Sequence, residues 1–288
     1  MTKPIAQRLN GGARLHLQHG PMDLIIGAEG DRERERAFDA AKRRFSTVLS
    51  ELVDELSVLR MSVSESDEPF IGETARMMDE AVRPYSSMFV TRMAAVAGAV
   101  ADTVLAAMTR EADLSRAYVN NGGDIALHLA PGRRYSTAIM SHNGCKLGVV
   151  DIDSDSPVRG IATSGRHGRS LSMGIADSVT VLATSAAGAD IAATLIANAV
   201  DLPDHPAVER KPADDVFDDS DLGVLPVVTG CGELSSTDIQ CALKAGCTRA
   251  NSLISRGLIE SASLHLFGET VLTDTFNQIV EPRILSYA

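Results

Sequence analysis

Apolar and polar residues alternate on either side of His19-Gly20-Pro21, with Leu15 and Leu17 before it and Leu24 and Ile26 after it. This period of two, broken by turn residues, predicts a β-hairpin over residues 14–28. The period then lengthens. Phe38, Ala41, Phe45, Val48, Leu49, Leu52, Val53, Leu56 and Leu59 recur every three or four residues and predict a long helix. Its opening, residues 31–36, alternates in charge sign and reads as a solvated face. A polar loop is expected at 62–67, and an Ala-rich helix at 90–109 with Gly98 inside it. Strands follow at 116–120, 125–130, 136–140 and about 147–152, separated by Asn121-Gly122-Gly123, Pro131-Gly132 and His142-Asn143-Gly144. Further on, the pattern predicts a strand at 178–183 and helices at 190–200 and 236–255. Ser235 or Ser236 is placed to cap the last helix, and a hairpin at 262–273 turns over Gly268-Glu269.

Runs of strands with a few helices point to an α+β (mixed α/β) fold, mostly antiparallel strands packed with several helices. One domain over residues 1–288 is expected. An acidic excursion rich in Pro and Asp at about 201–222 interrupts it before the C-terminal helix and hairpin.

Charge narrows the partners. The formal net charge is −11, no Lys/Arg stripe is interleaved with aromatics, and there is no Trp. Nucleic acid and anionic membrane surfaces are therefore not expected ligands. The opening residues carry no signal-peptide pattern, and the apolar run at 191–200 is too short to span a bilayer, so a cytoplasmic setting is expected. The cysteines at 145, 231, 241 and 247 form no Cys-x-x-Cys and are expected to be reduced. Association into a homo-oligomer stays open.

Three segments carry candidate chemistry. Asp190 and Thr194 lie four residues apart on an expected helix, which puts a carboxylate and a hydroxyl on one face, as oxygen ligands of a hard cation require. The plainer reading is a carboxylate favoured in a first helical turn. Asn121-Gly122-Gly123-Asp124 is foremost a hairpin turn. Thr163, Ser164, Gly165 and Arg166 offer hydroxyls, a flexible backbone and a cation suited to phosphate, or simply a polar loop. His167 can serve as a general base or sit in a surface loop. No nucleophile elbow, P-loop or Gly-x-Gly-x-x-Gly turn is present.

Taken in order, these segments resemble the ApbE superfamily, whose characterised members are Mg²⁺-dependent FAD:protein FMN transferases. The resemblance rests on Ala97-Gly98-Ala99-Val100-Ala101-Asp102, Val119–Asp124, Ile161–Gly165, Ser178-Val179-Thr180-Val181 and Ala189–Thr194. It is closest to a short, cytosolic branch of uncharacterised members. It implies Mg²⁺ on Asp190 and Thr194, with a backbone carbonyl near Val96 as a third donor. FAD or FMN would be lined by Asn121, Gly122 and Gly123 with Asp124, and by Thr163, Ser164 and Gly165. His167, Asp124 and Arg166 are the expected catalytic groups.

Two departures bear on activity. The family's Lys-Gly-Tyr is Ala97-Gly98-Ala99 here, and its His-x-x-Asp-Pro-x-Thr-Gly segment is replaced by residues 167–174. The expected function is thus flavin-nucleotide handling, as an FMN transferase, an FAD pyrophosphatase or a flavin carrier. The alternatives are a different enzyme acting on a small anionic carboxylate through Arg166, His167 and Arg169, and a non-catalytic interaction protein.

Overall fold

The N-terminal hairpin is present in the computed structural model as β2 (Arg14–His19) and β3 (Met22–Ala28), flanked by a strand the pattern did not announce, β1 (Ile5–Leu9). The structure describes residues 3–66, 69–141, 143–144 and 146–273. These divide into two units. One holds the residues up to Arg133 with Pro157–Ala162 and Ala183–Ile191; the other holds Arg134–Ser156, Thr163–Leu182 and the residues from Ala192 on.

In the first unit, β1, β2, β3, β4 (Arg116–Asn121) and β5 (Asp124–Leu129) pair antiparallel in sequence order. The first half of β8 (Gly160–Ser164) adds to β5 through Ile125↔Ile161 and Ala126↔Gly160. Leu15, Leu17, Leu24 and Ile26 turn inward from alternate positions and are fully or almost fully buried. The period-3.6 stretch forms α1 (Asp31–Asp54) and the short α2 (Leu56–Leu59), whose Phe38, Phe45, Val48 and Leu59 are wholly buried. A helix missing from the sequence reading, α3 (Glu73–Val82), buries Thr74, Ala75, Met78, Asp79 and Val82 on one side.

The Ala-rich helix begins six residues later than expected, as α4 (Val96–Glu111). Val90 and Thr91 are drawn into extended pairing instead: the Val63 amide donates to the Val90 carbonyl and Ser62 bridges Thr91. Arg92 then enters a 3-10 turn with its guanidinium wholly buried. It donates to Asp79 at 3.0 Å and to the Ser62 and Ser66 carbonyls at 3.3 and 2.6 Å. By length and composition Arg92–Glu111 could cross a bilayer, at a mean hydropathy of 1.3, but it packs against α1, α3, β4 and β5 within this unit.

In the second unit, β6 (Arg134–Met140) and β7 (Lys146–Asp153) form a hairpin of their own. The strand β9 (Ser178–Ala183) pairs antiparallel with β12 (Ser261–Leu266), which pairs with β13 (Glu269–Leu272). The helix α5 (Ala186–Ala199) starts in the first unit and ends in the second. The stretch read as an acidic excursion holds β10 (Val208–Pro212) and α6 (Ala213–Val216), and β10 pairs with β11 (Pro226–Cys231). The last helix, α7 (Ser236–Ser255), carries a full capping box: Ser235 accepts from the Asp238 amide and Asp238 accepts from the Ser235 amide. It lies on the apolar side of β12, with Gly246 against Leu264 and Val200.

The fold is mixed α/β with antiparallel pairing, as expected. Cys231, Cys241 and Cys247 are unpaired thiols, whereas His142 and Cys145 lie outside the described residues, as do Asp67 and everything after Thr273.

One position tests how tightly the first unit is packed. A side-chain carbon on Gly160 would fall inside van der Waals contact of the Ser185 carbonyl and the Ala186 amide. Because backbone has to shift to admit it, Gly160→Ala is expected to cost about 1–3 kcal/mol in urea unfolding. A midpoint equal to that of the unaltered chain would contradict the close approach.

Candidate functional site

Two helix N-termini meet in the first unit, and each is bonded by a carboxylate from the other helix. Asp102, on α4, accepts from the Ala186 and Ala187 amides at 3.1 and 2.9 Å. Ser185 adds a third partner to that first turn, its hydroxyl accepting from Gly188 at 3.1 Å. These bonds satisfy N–H groups that an α-helix leaves unpaired, and they explain why α5 begins at Ala186, one turn before the expected start. Asp190 therefore sits in the second turn. It accepts instead from the opening turn of α4, with the Gly98 amide 3.0 Å from its Oδ2. Gly98 is what lets the helices approach, because a side-chain carbon there would strike the Ala186 carbonyl.

Asn121 ties the same turn to the sheet. Its amide donates to the Ala97 carbonyl at 3.1 Å, and its side-chain oxygen accepts from Asp23 N at 3.4 Å. Gly122 and Gly123 form a two-residue hairpin turn with φ of 69° and 119°, closed by the Asn121↔Asp124 pair. The turn chemistry expected from Asn-Gly is met. A bond from Gly123 N to the Asn120 side chain at 2.8 Å fixes the loop.

The turn also delivers Asp124 close enough to Asp190 for the charges to interact. Burial first, and then the Asp124 charge, push the Asp190 carboxyl well above the usual carboxylate range; the Gly98 and Ala97 amides oppose the rise and Asp102 adds to it. Burial likewise raises Asp102 to about 6, against the pull of Ala187 and Ala186. A buried carboxyl beside a like charge stays protonated unless a cation or hydrogen-bond donors offset its charge. A hard divalent ion suits such oxygens. Among the described residues no group of three or more His, Cys, Asp or Glu side chains is arranged to hold a metal. Asp190 and the neighbouring Asp124 offer the one or two carboxylates that Mg²⁺ takes alongside water and phosphate. The Ala97 carbonyl, next to the expected backbone donor near Val96, is already engaged by Asn121.

In the second unit, Thr163 is exposed and its hydroxyl pairs with Thr180 at 2.9 Å. Ser164 is half-buried, and Gly165 packs so closely that a side-chain carbon would lie 2.6 Å from the Asp177 carbonyl. Arg166 and His167 converge on Asp177, a residue the sequence reading passed over. Arg166 Nε and Nη2 donate to Asp177 Oδ1 at 3.0 and 2.7 Å, and His167 Nε2 lies 3.1 Å from the same oxygen. The other oxygen accepts from Phe267 N at 2.6 Å. The guanidinium also stacks 4.9 Å from the Phe267 ring centre. Arg169 is exposed, apart from this cluster, and Thr194 is half-buried.

His265 is a second residue the sequence did not single out. It bridges the Ser263 and Thr270 hydroxyls at 2.9 and 2.6 Å, and burial lowers its pKa, with Asp177 opposing.

A family model described as AbpE bacteria matches residues 6–272. A UPF0280 protein of Methanothermobacter thermautotrophicus is 34% identical over 231 residues, covering 76% of this chain and 80% of its own. Another, from Methanosarcina acetivorans, is 29% identical over 202 residues, covering 69% and 77%. A shorter match, to a UPF0280 protein of Methanopyrus kandleri, is 35% identical and spans about half of that relative, 54%. Among solved structures, the ApbE protein of Thermotoga maritima shares the fold at a TM-score of 0.50 and 13% identity, covering 93% of this chain and 99% of that one. The flavin transferase ApbE of Vibrio cholerae, also 13% identical, covers 96% and 100% with a TM-score of 0.42.

The raised carboxyls set a pH dependence. The folded chain holds a proton on Asp102 up to about 6, whereas the unfolded carboxyl titrates near 3.8. Between those values the folded state binds more protons, so stability falls as pH rises through the window. Melting temperatures taken across it are expected to decline less steeply for Asp102→Asn than for the unaltered chain. Parallel declines would contradict the assignment.

Proposed function

The chain belongs to the AbpE bacteria family, and from that membership we propose that it handles a flavin nucleotide, FAD or FMN, with a divalent cation. Asp190 is the residue proposed to hold Mg²⁺, with Thr194, one turn on in the same helix, as the second side-chain oxygen. Mg²⁺, when bound, neutralises phosphate charge and polarises the phosphorus toward attack. The observation that carries the reading is the Asp190–Asp124 pair, in which a half-buried carboxylate bears on a buried one whose charged form burial disfavours.

The chain's own groups would do the following. Asn121 and the Gly122-Gly123 turn hold Asp124 in place, and the Gly98 amide fixes one oxygen of Asp190. The proposal gives Thr163, Ser164 and Gly165 the nucleotide, through hydroxyls and backbone N–H groups. His167 is the proposed proton acceptor, with Asp177 orienting its ring. The missing Lys and Tyr around Gly98 favour flavin binding or pyrophosphate cleavage over transfer to a protein hydroxyl. The proposed setting is the cytoplasm.

The small-carboxylate alternative draws on a pair of arginines, Arg166 and Arg169, and the donor edge of the first is turned to Asp177. That geometry favours the flavin reading.

Purified protein is expected to retain FAD or FMN in the presence of Mg²⁺, read by flavin fluorescence, with AMP released if FAD is cleaved. Asp190→Asn should weaken the Mg²⁺-dependent component at least about tenfold. Absence of both flavin affinity and AMP, with a thermal shift on small carboxylates, would overturn the proposal.

A further inference from the structure

We propose that Asp177 sets the anion affinity of the Thr163–His167 loop by keeping Arg166 and His167 engaged within the protein, so that this loop takes a phosphate-bearing ligand through neutral groups. The inference rests on the reading that the loop meets a phosphate. By residue type the loop looks cationic: an arginine and a histidine follow Thr-Ser-Gly. Its geometry says otherwise.

Asp177 Oδ1 collects Arg166 Nε, Arg166 Nη2 and His167 Nε2, all within 3.1 Å. The Nε–Nη2 edge is the one an arginine uses for two-point recognition of carboxylate or phosphate. Here that edge is spent on a carboxylate whose side chain is only 11% exposed, with Arg166 itself 14% exposed. A buried pair of this kind is costly to open, because separating it strands a charge in a poorly solvated place.

The carboxylate is in turn fixed from outside the loop. Its Oδ2 accepts from Phe267 N at the β12–β13 turn, and the Asp177 amide donates to the His265 carbonyl at 2.9 Å. The loop is laced to the same segment by the Arg166 amide, which donates to the Ala176 carbonyl at 2.9 Å. The stack of the guanidinium on Phe267 holds the third side. Arg166 is thus oriented by three residues, Asp177, Ala176 and Phe267. The loop's other polar groups are the exposed Thr163 hydroxyl, which pairs with Thr180, the Ser164 hydroxyl and the amides other than that of Arg166.

Asp177 is accordingly a specificity-determining positioning residue. Its neutral isostere, Asp177→Asn, keeps one side-chain oxygen to accept from Arg166, puts an amide nitrogen in place of the oxygen that accepts from Phe267 N, and removes one unit of negative charge from the loop's surroundings. Charge at this range inside a partly buried site changes anion affinity by about tenfold or more.

The test is calorimetric titration of the full chain with inorganic phosphate and with pyrophosphate. Asp177→Asn is expected to bind pyrophosphate at least about tenfold more tightly than the unaltered chain, and the double variant Asp177→Asn/Arg166→Gln is expected to lose that gain. Arg166→Lys alone, which keeps the charge and loses the two-point edge, should change pyrophosphate affinity less than about twofold. Unchanged or weaker binding by Asp177→Asn overturns the proposal. So does a tenfold loss in Arg166→Lys, which also decides the matter if Asp177→Asn does not fold. The ¹⁵N spectrum of the ring gives a signature that simple destabilisation would not move: His167 should carry its proton on Nε2, and the signal should change in Asp177→Asn. Flavin affinity is measured alongside. Its absence in the unaltered chain defeats the flavin reading, while the gain or its lack in Asp177→Asn still judges the role of Asp177.

Discussion

The candidate site in the first unit depends on an exchange of carboxylates between two helix N-termini. Helix α4 sends Asp102 to the opening turn of α5, and α5 sends Asp190 to the opening turn of α4. Each helix supplies what the other lacks, since four N–H groups at every helix start have no partner within the helix. The partial positive charge of each terminus also favours a carboxylate there. The exchange requires close approach, which is why Gly98 stands where the backbones meet and why Ala residues surround it. It also concentrates negative charge. Asp124 and Asp102 both raise the Asp190 carboxyl, and burial raises Asp190 and Asp102 alike. The proposed cation at Asp190 would offset that charge.

The second unit solves a related problem with one carboxylate in place of two. Asp177 gathers a guanidinium, an imidazole and a backbone amide, and so fixes a loop that has little secondary structure of its own. In both units the decisive groups are acids bonded to backbone N–H, and the residues with the more familiar catalytic reputation are held by them. This ordering has a consequence for activity. In the Thr163–His167 loop the donor edge of Arg166 and the exposed His167 ring are both turned to Asp177, so the loop offers a bare anion less than its residue types suggest.

Much of this was legible in the chain, and what was legible was local. The Asn121-Gly122-Gly123-Asp124 turn follows from which residues accept positive φ, and the structure has that turn. The N-terminal hairpin and the Ser235 cap of α7 likewise depend on neighbours within a few positions. The start of α4 was not legible, because Arg92 is pulled out of the helix by carbonyls of residues 62 and 66 that no window around it contains. The start of α5 was missed for the same reason: its first-turn partner, Asp102, lies 84 residues earlier. Asp177 precedes a strand of ordinary apolar pattern, and its role exists only through Phe267, 90 residues away. The ordered resemblance across residues 97–194 carried the family, since it preserves the positions of these long-range partners without explaining them.

The central claim is that Asp190 and the opening turn of α4 form a divalent-cation site. Titration with Mn²⁺, followed by paramagnetic broadening of backbone amide signals, addresses it directly. The expected result is selective, saturable broadening at Gly98, Asp124 and Asp190, reversed by excess Mg²⁺ and absent in Asp190→Asn. Broadening spread over the acidic surface residues, unaffected by Asp190→Asn, would contradict it.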